Sequence, residues 1–254
     1  MNNKIPKIIH YCWLSNDPIP EEMQKYIESW KKKLIGYEFK LWNFEIFDKN
    51  SSLWVSQAFD AKKYAFAADY IRLYAVYNYG GIYMDMDIEV LKPFDDLLER
   101  ELFFGYESLK TKNLEAGCFG ASKGNLFIRE CLKYYENRSF IKENGSFDML
   151  PLPEIITPIY KKMISEEPFS DDVFTAKSLL NGKITVTPNT YTIHHFAGSW
   201  TISLRKKYMT LRLKLSKIIG IHLATILLLP MQVIVVLKEG GTSALLNKIS
   251  RKKR

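Results

Sequence analysis

Cysteine is scarce in this 254-residue chain. Cys12, Cys118 and Cys131 form an odd and sparse set, which argues against a disulfide framework and for a reducing compartment. The opening residues lack the pattern of a secretory signal, because the apolar run from Ile8 to Leu14 is short and polar-interrupted. Internal repeats and low-complexity linkers are missing as well. Acid is nearly absent from one region: residues 205–254 hold twelve Lys and Arg but a single acid, Glu239, for a net +11. Taken from the whole-chain charge of +8, this leaves −3 on the preceding residues. The basicity therefore belongs to the tail and not to a groove in the main body. With neither zinc-finger spacing nor an RNA-binding aromatic signature, no nucleic-acid partner is expected.

What is present is ordinary for a globular protein, with 47% hydrophobic and 25% charged residues. The length suits one sizeable α/β domain with an appendage. Lys7 to Leu14 reads as a buried strand ended by Ser15-Asn16-Asp17-Pro18. Glu21 to Lys33 reads as a helix with Met23, Ile27 and Trp30 on one face. Strands are expected at Tyr37 to Trp42, Ile82 to Leu91, Leu102 to Tyr106, Cys118 to Ala121 and Lys183 to Thr187. A helix from Ala61 to Tyr79 should stop at Gly80-Gly81, and another should end near Asn137. Strands alternating with helices predict a mixed, mostly parallel Rossmann-like sheet flanked by helices, with ligands beyond the carboxyl ends of its strands.

The sharpest feature is Gly80-Gly81-Ile82-Tyr83-Met84-Asp85-Met86-Asp87-Ile88-Glu89-Val90. On a continuous strand the apolar members pack into the core, while Tyr83, Asp85, Asp87 and Glu89 share the other face. Two carboxylates at i and i+2 lie roughly 7 Å apart at the backbone and repel each other unless a cation stands between them. A hard divalent ion, Mn²⁺ or Mg²⁺, suits oxygen ligands and also holds a diphosphate. It would act as a Lewis acid at a departing diphosphate.

The segment Phe66-Ala67-Ala68-Asp69-Tyr70-Ile71-Arg72-Leu73-Tyr74, followed by Tyr79 to Asp87, resembles the glycosyltransferases with a DXD-containing sugar-binding region. That family includes fungal outer-chain mannosyltransferases and bacterial capsular enzymes. The large glucosylating bacterial toxins are more distant. Ile5 to Trp13 resembles its first signature and His194 to Trp200 its last, so the resemblance spans residues 4 to 200. It implies a GT-A fold, a nucleotide-sugar donor and a divalent metal, often Mn²⁺. It also implies retention of anomeric configuration and a glycan or lipid-linked glycan acceptor. Asp85 and Asp87 match the DXD pair, with Asp87 as the more direct metal ligand. Asp69 and Arg72 match a pair contacting the donor sugar and its phosphate side; the bland alternative is a surface ion pair. Trp13 matches an aromatic that stacks on the nucleobase, which favours UDP over GDP; otherwise it is a core Trp. Tyr83 is grouped with the donor-facing residues. Ser199 and Trp200 match a mobile loop over the diphosphate, with a packing role for Trp200 as the alternative. Of His194 and His195, at most one meets the ligand, and the match favours His195 as a metal or phosphate contact. The segment Asn113 to Cys118 departs from the family's Asn-bearing pattern.

These matches assign residues 1–203 to the glycosyltransferase domain and 204–254 to a basic, apolar helical tail. Ile218 to Leu237 carries no charge but is interrupted by His222, Pro230 and Gln232. With basic residues on both flanks, it reads as an interfacial or re-entrant anchor on an anionic membrane. The alternatives are a span or a helical pair packed on the domain. The expected setting is surface-polysaccharide synthesis in the cytoplasm, at the inner face of the cell membrane. Two rival readings are a haloacid-dehalogenase-type phosphohydrolase, with Asp171-Asp172 as its distant acids, and a non-catalytic sugar-nucleotide-binding protein.

Overall fold

The computed structural model describes residues 4–178, 181–197 and 203–237. The chain divides into two compact units, one of Met1–Lys177 with Ile184–Phe196, the other of Ser178–Lys183 with Ala197–Arg254. The first therefore ends near Phe196, a few residues before the expected boundary at 203.

The first unit is built on a five-stranded mixed sheet. Its strands are β1 (Ile8–Cys12), β2 (Glu38–Trp42), β3 (Gly81–Met84), β5 (Leu102–Tyr106) and β6 (Leu114–Ala121), in the order β2-β1-β3-β6-β5. β1 is parallel to β2 and β3, while β6 is antiparallel to both β3 and β5. Four strands thus run one way and β6 opposes them. A separate two-stranded ladder pairs β4 (Ile88–Val90) with β7 (Thr192–His194). Alternation along β3 holds: Ile82 and Met84 enter one apolar cluster with Trp30 and Phe94, while Tyr83 enters the other with Trp54 and Phe119.

Helix α1 (Glu21–Lys33) forms as expected, with Met23, Ile27 and Trp30 buried, two acids in its first turn and three lysines in its last. That charge order complements the helix dipole. The helix expected from Ala61 starts at Tyr64 and ends at Tyr79 as expected (α3, Tyr64–Tyr79), and a separate helix that was not expected, α2 (Leu53–Asp60), precedes it. Ser52 caps α2 through a bond from the Val55 amide, and Lys62 at φ 56° separates the pair. Helix α4 (Leu126–Lys133) is capped by Asn125. Helices α5 (Leu152–Met163) and α6 (Asp171–Phe174) complete the unit. The strand expected at Lys183 to Thr187 is absent; a single bridge joins Lys177 to Ile184.

Gly80 and Gly81 turn α3 into β3 at φ 68° and 111°. A Cβ on Gly81 would lie 2.6 Å from the Ile8 carbonyl oxygen, so only glycine fits there. His10, fully buried, braces this turn. Its Nε2 meets the Gly80 carbonyl at 2.8 Å, and its Nδ1 accepts the Trp42 indole N–H at 3.0 Å. Nε2 therefore carries the hydrogen and the ring is neutral. Burial lowers its pKa from 6.5 to about 4. Between those values the unfolded chain binds a proton that the folded chain refuses, so the His10 contribution is full above pH 6.5 and is lost as pH falls toward 4. The unfolding free-energy difference between wild type and His10→Gln should widen by about 3 kcal/mol from pH 4 to pH 6.5. Urea titrations across that range measure it, and a constant difference would refute the assignment.

The second unit contains α7 (Ser203–Ile219) and α8 (Ile221–Leu227), divided by Gly220 at φ 78°, with residues 229–237 also helical. Leu223, Ile226, Leu227, Leu229 and Ile234 are exposed. The uncharged stretch from Ile218 is thus broken into short helices, and among the described residues no helix is long and apolar enough to cross a membrane.

Candidate metal centre and donor site

β3 does not continue to Leu91. The chain turns at Asp85–Asp87, where the Ile88 amide bonds the Asp85 carbonyl at 3.1 Å, and then enters the other sheet as β4. The Asp85 amide is held by the Gly117 carbonyl at 2.8 Å. Two sheets with different partners meet here, and a straight strand could serve only one of them. β4 pairs with β7 so that Ile88 lies opposite His194, which brings a histidine to the acids from more than a hundred residues away. One ligand atom each from Asp85, Asp87 and His194 lies within 4.8 Å of the others.

The donor set fits a divalent cation such as Mn²⁺ or Mg²⁺: two carboxylates and one imidazole nitrogen. His195, the expected histidine, is directed elsewhere. Its Nε2 meets Glu89 at 2.9 Å and its ring stacks on Tyr26. Successive strand residues face opposite ways, so the pairing that aims His194 inward turns His195 out.

Arg72 lies beneath this turn. Its side chain is only 8% exposed and its Nη2 lies 3.2 Å from Asp69 and 3.4 Å from Asp85. Nη1 donates to the Ala116 carbonyl at 2.7 Å, and the guanidinium covers the Tyr83 ring at 4.5 Å. The Asp69–Arg72 pair is therefore a buried support for Asp85 and not a surface ion pair. Tyr83 is 1% exposed and donates its hydroxyl to Asp85 at 2.8 Å. It steadies the acid from below instead of facing a donor, because both faces of β3 are covered. Asp69 retains some exposure; burial raises its pKa to about 6 against the opposing pull of Arg72.

Glu115, on β6, is the residue that motif reading missed. It is 2% exposed and accepts from the Gly117 amide at 2.5 Å and the Thr175 hydroxyl at 3.0 Å, with His194 Nδ1 at 3.2 Å. His194 Nε2 faces Asp87 at 3.3 Å. Burial opposes charge on His194, but Glu115 and Asp87 outweigh it and hold its pKa well above the ordinary value. Glu107 is raised to about 7 by burial and by the charge of Glu115. A Cβ at Gly117 would sit 2.8 to 2.9 Å from Glu115, His194 and Asp85, so glycine is required by the closeness of these three groups. The signal was there in the sequence: one acid inside Leu114-Glu115-Ala116-Gly117-Cys118-Phe119 has to be partnered to be buried.

Trp13 leaves the end of β1 just as Asp85 leaves the end of its parallel neighbour β3, and both strands point the same way. Trp13 is half-buried, with its indole N–H on the Asp17 carbonyl at 2.7 Å. Ser199 and Trp200 lie outside the described residues. The acids suggested for a phosphohydrolase are occupied elsewhere, Asp171 by the Leu109 amide and Asp172 by the Thr187 hydroxyl.

Residues 20–104 match the family model for the glycosyltransferase sugar-binding region containing a DXD motif. This chain carries that region. Asp69, Arg72, Asp85 and Asp87 all fall within it, whereas Glu115 and His194 come from beyond it. Inositol phosphoceramide mannosyltransferase 1 of Schizosaccharomyces pombe is 34% identical over 39% of this chain and 33% of its own length. Inositol phosphoceramide mannosyltransferase 3 of the same yeast is 28% identical over 63% of this chain and 44% of its own. The chain thus spans less than half the length of these curated relatives. The solved PaToxG glycosyltransferase superposes with a TM-score of 0.51 over 63% of this chain and 70% of that one, at 21% identity. The expected GT-A-type fold is borne out by this likeness.

Proposed function

We propose that the protein is a metal-dependent, retaining glycosyltransferase. It moves a sugar from a nucleoside diphosphate, UDP in preference to GDP, to a glycan or lipid-linked glycan acceptor in surface-polysaccharide synthesis. The observation that carries this reading is the convergence of Asp85 and Asp87, both within the sugar-binding region, with His194 on one point at the end of β3. These three residues would hold Mn²⁺ or Mg²⁺. A bound divalent cation supplies positive charge where the departing diphosphate gathers negative charge. Arg72 and Tyr83 keep Asp85 in place, so little reorganisation is needed when donor arrives. Asp69 offers a carboxylate oxygen to a hydroxyl of the donor sugar. Trp13 offers a ring to the base.

The relatives' names support a lipid-linked acceptor and put mannosyl donors in the test panel. The exposed Leu and Ile side chains of the second unit, in a basic tail, support docking on the anionic inner face of the membrane.

One assay tests these points. The protein is incubated with UDP- and GDP-sugars, with Mn²⁺ or EDTA, and with neutral or anionic vesicles that carry glycolipid acceptors. Release of one nucleoside diphosphate, lost in EDTA, is expected, together with sedimentation on anionic vesicles and retained anomeric configuration in the product. Turnover unchanged by EDTA would refute metal dependence. Phosphate release without donor preference would refute sugar transfer.

A further inference from the structure

His194 reaches the acids of the sugar-binding region only through β-pairing, and a histidine can bind a cation only through a ring nitrogen that carries no hydrogen. Which nitrogen that is depends on what stands behind the ring. Behind it stands Glu115. One of its oxygens is engaged by the Gly117 amide; the other takes the Thr175 hydroxyl and faces His194 Nδ1. The opposite nitrogen, Nε2, faces Asp87. The arrangement is held from several sides. The His194 amide bonds the Thr175 carbonyl at 3.0 Å, and the Thr175 hydroxyl also reaches the Tyr106 carbonyl at 3.3 Å. The absence of a side chain at Gly117 leaves room for Glu115, His194 and Asp85 to approach.

We infer that Glu115 is a positioning residue for the metal centre: it holds the Nδ1 hydrogen of His194 and so presents Nε2 to the cation. This rests on the reading of Asp85, Asp87 and His194 as the ligands. Before a cation binds, each carboxylate faces a ring hydrogen, Glu115 at Nδ1 and Asp87 at Nε2. A cation beside Asp87 would displace the Nε2 hydrogen, whereas Glu115, on the far side of the ring, has no hydrogen to donate and keeps the one on Nδ1. The geometry of Glu115 is itself set by two donors, the Gly117 amide and the Thr175 hydroxyl. A glutamine at this position has an amide that can donate to Nδ1. That contact would move the hydrogen to Nε2 and close the nitrogen that should bind.

The test uses Mn²⁺ alone, without any sugar donor. Paramagnetic resonance titration of free Mn²⁺ gives the affinity of the wild type, Glu115→Gln and His194→Ala. Electron spin-echo modulation reports a coordinated nitrogen. Glu115→Gln should weaken Mn²⁺ binding about 10- to 100-fold and lose the nitrogen modulation, with the fold checked by circular dichroism. For the wild type with Mg²⁺, long-range ¹H–¹⁵N correlation should show the hydrogen of His194 on Nδ1, a result that needs no variant to fold. The inference is overturned if Glu115→Gln binds Mn²⁺ within twofold of wild type while His194→Ala does not. It is equally overturned if the wild-type hydrogen sits on Nε2, or if the wild type binds no Mn²⁺. Glu115-dependent Mn²⁺ binding in a protein that turns over no nucleotide sugar would support this inference and count against sugar transfer, so the two failures are distinct.

Discussion

Asp87→Ala should lower metal-dependent turnover by roughly 10³-fold, the scale on which a lost charge-stabilising contact acts at a reacting centre. Asp87 is 8% exposed, sits on the turn between β3 and β4, and faces His194 Nε2 at 3.3 Å. Its removal also ends the repulsion between two nearby acids, so the metal-free variant should unfold close to the wild-type temperature. The two proteins should separate when Mn²⁺ is added. At a hundred times its dissociation constant, a ligand specific for the folded state stabilises it by about 2.7 kcal/mol, and thermal unfolding of wild type should rise accordingly. The variant should not respond. An equal Mn²⁺ response in both proteins would remove Asp87 from the ligand set.

The second large effect is on stability. Arg72→Met keeps much of the side-chain volume but removes the cation shared by Asp69 and Asp85. Breaking a buried ion pair from one side costs about 3–5 kcal/mol, because an uncompensated charge remains. The sign with pH follows from Asp69. Its folded pKa, about 6, already lies above the ordinary 3.8, so its stabilising contribution is full below 3.8 and declines as pH rises through 6. Without Arg72 that folded pKa rises further, and the decline extends to higher pH. Urea unfolding should therefore show a larger deficit for Arg72→Met at pH 8 than at pH 5. A deficit below 1 kcal/mol at pH 8 would show that the guanidinium is not the counter-charge for these acids.

Local pattern carried much of the fold. The apolar spacing of Met23, Ile27 and Trp30 defined α1 to its ends, and the run Leu102 to Tyr106 became β5 as written. Helix α2, started by the Ser52 cap, was not anticipated, and the left-handed Lys62 delays the helix expected from Ala61 to Tyr64; apolar periodicity registers neither signal. Helix α5 was not anticipated. It contains Pro158, a residue that normally interrupts a helical pattern. The single strand expected from Ile82 to Leu91 failed because alternation describes one face of one sheet, whereas residues 85–87 leave one sheet for another.

The amino-acid order by itself determined the alternating strands and helices, the Gly-Gly turn, the paired acids and the i, i+3 placement of Asp69 with Arg72 on one helix. All of these rest on interactions between residues near one another in sequence, or on side-chain alternation along one segment. Only the tertiary structure decided which histidine meets the acids, that Tyr83 and Arg72 lie beneath the site, and that Glu115 stands behind His194. Those outcomes depend on strand pairing between distant segments: β4 with β7 selects His194 over His195, and β3 with β6 brings Glu115 and Gly117 beside Asp85. A shift of one residue in either register would turn the alternate side chains toward the centre. Long-range pairing is therefore what brings a third ligand to a pair of acids and makes of them a candidate metal centre.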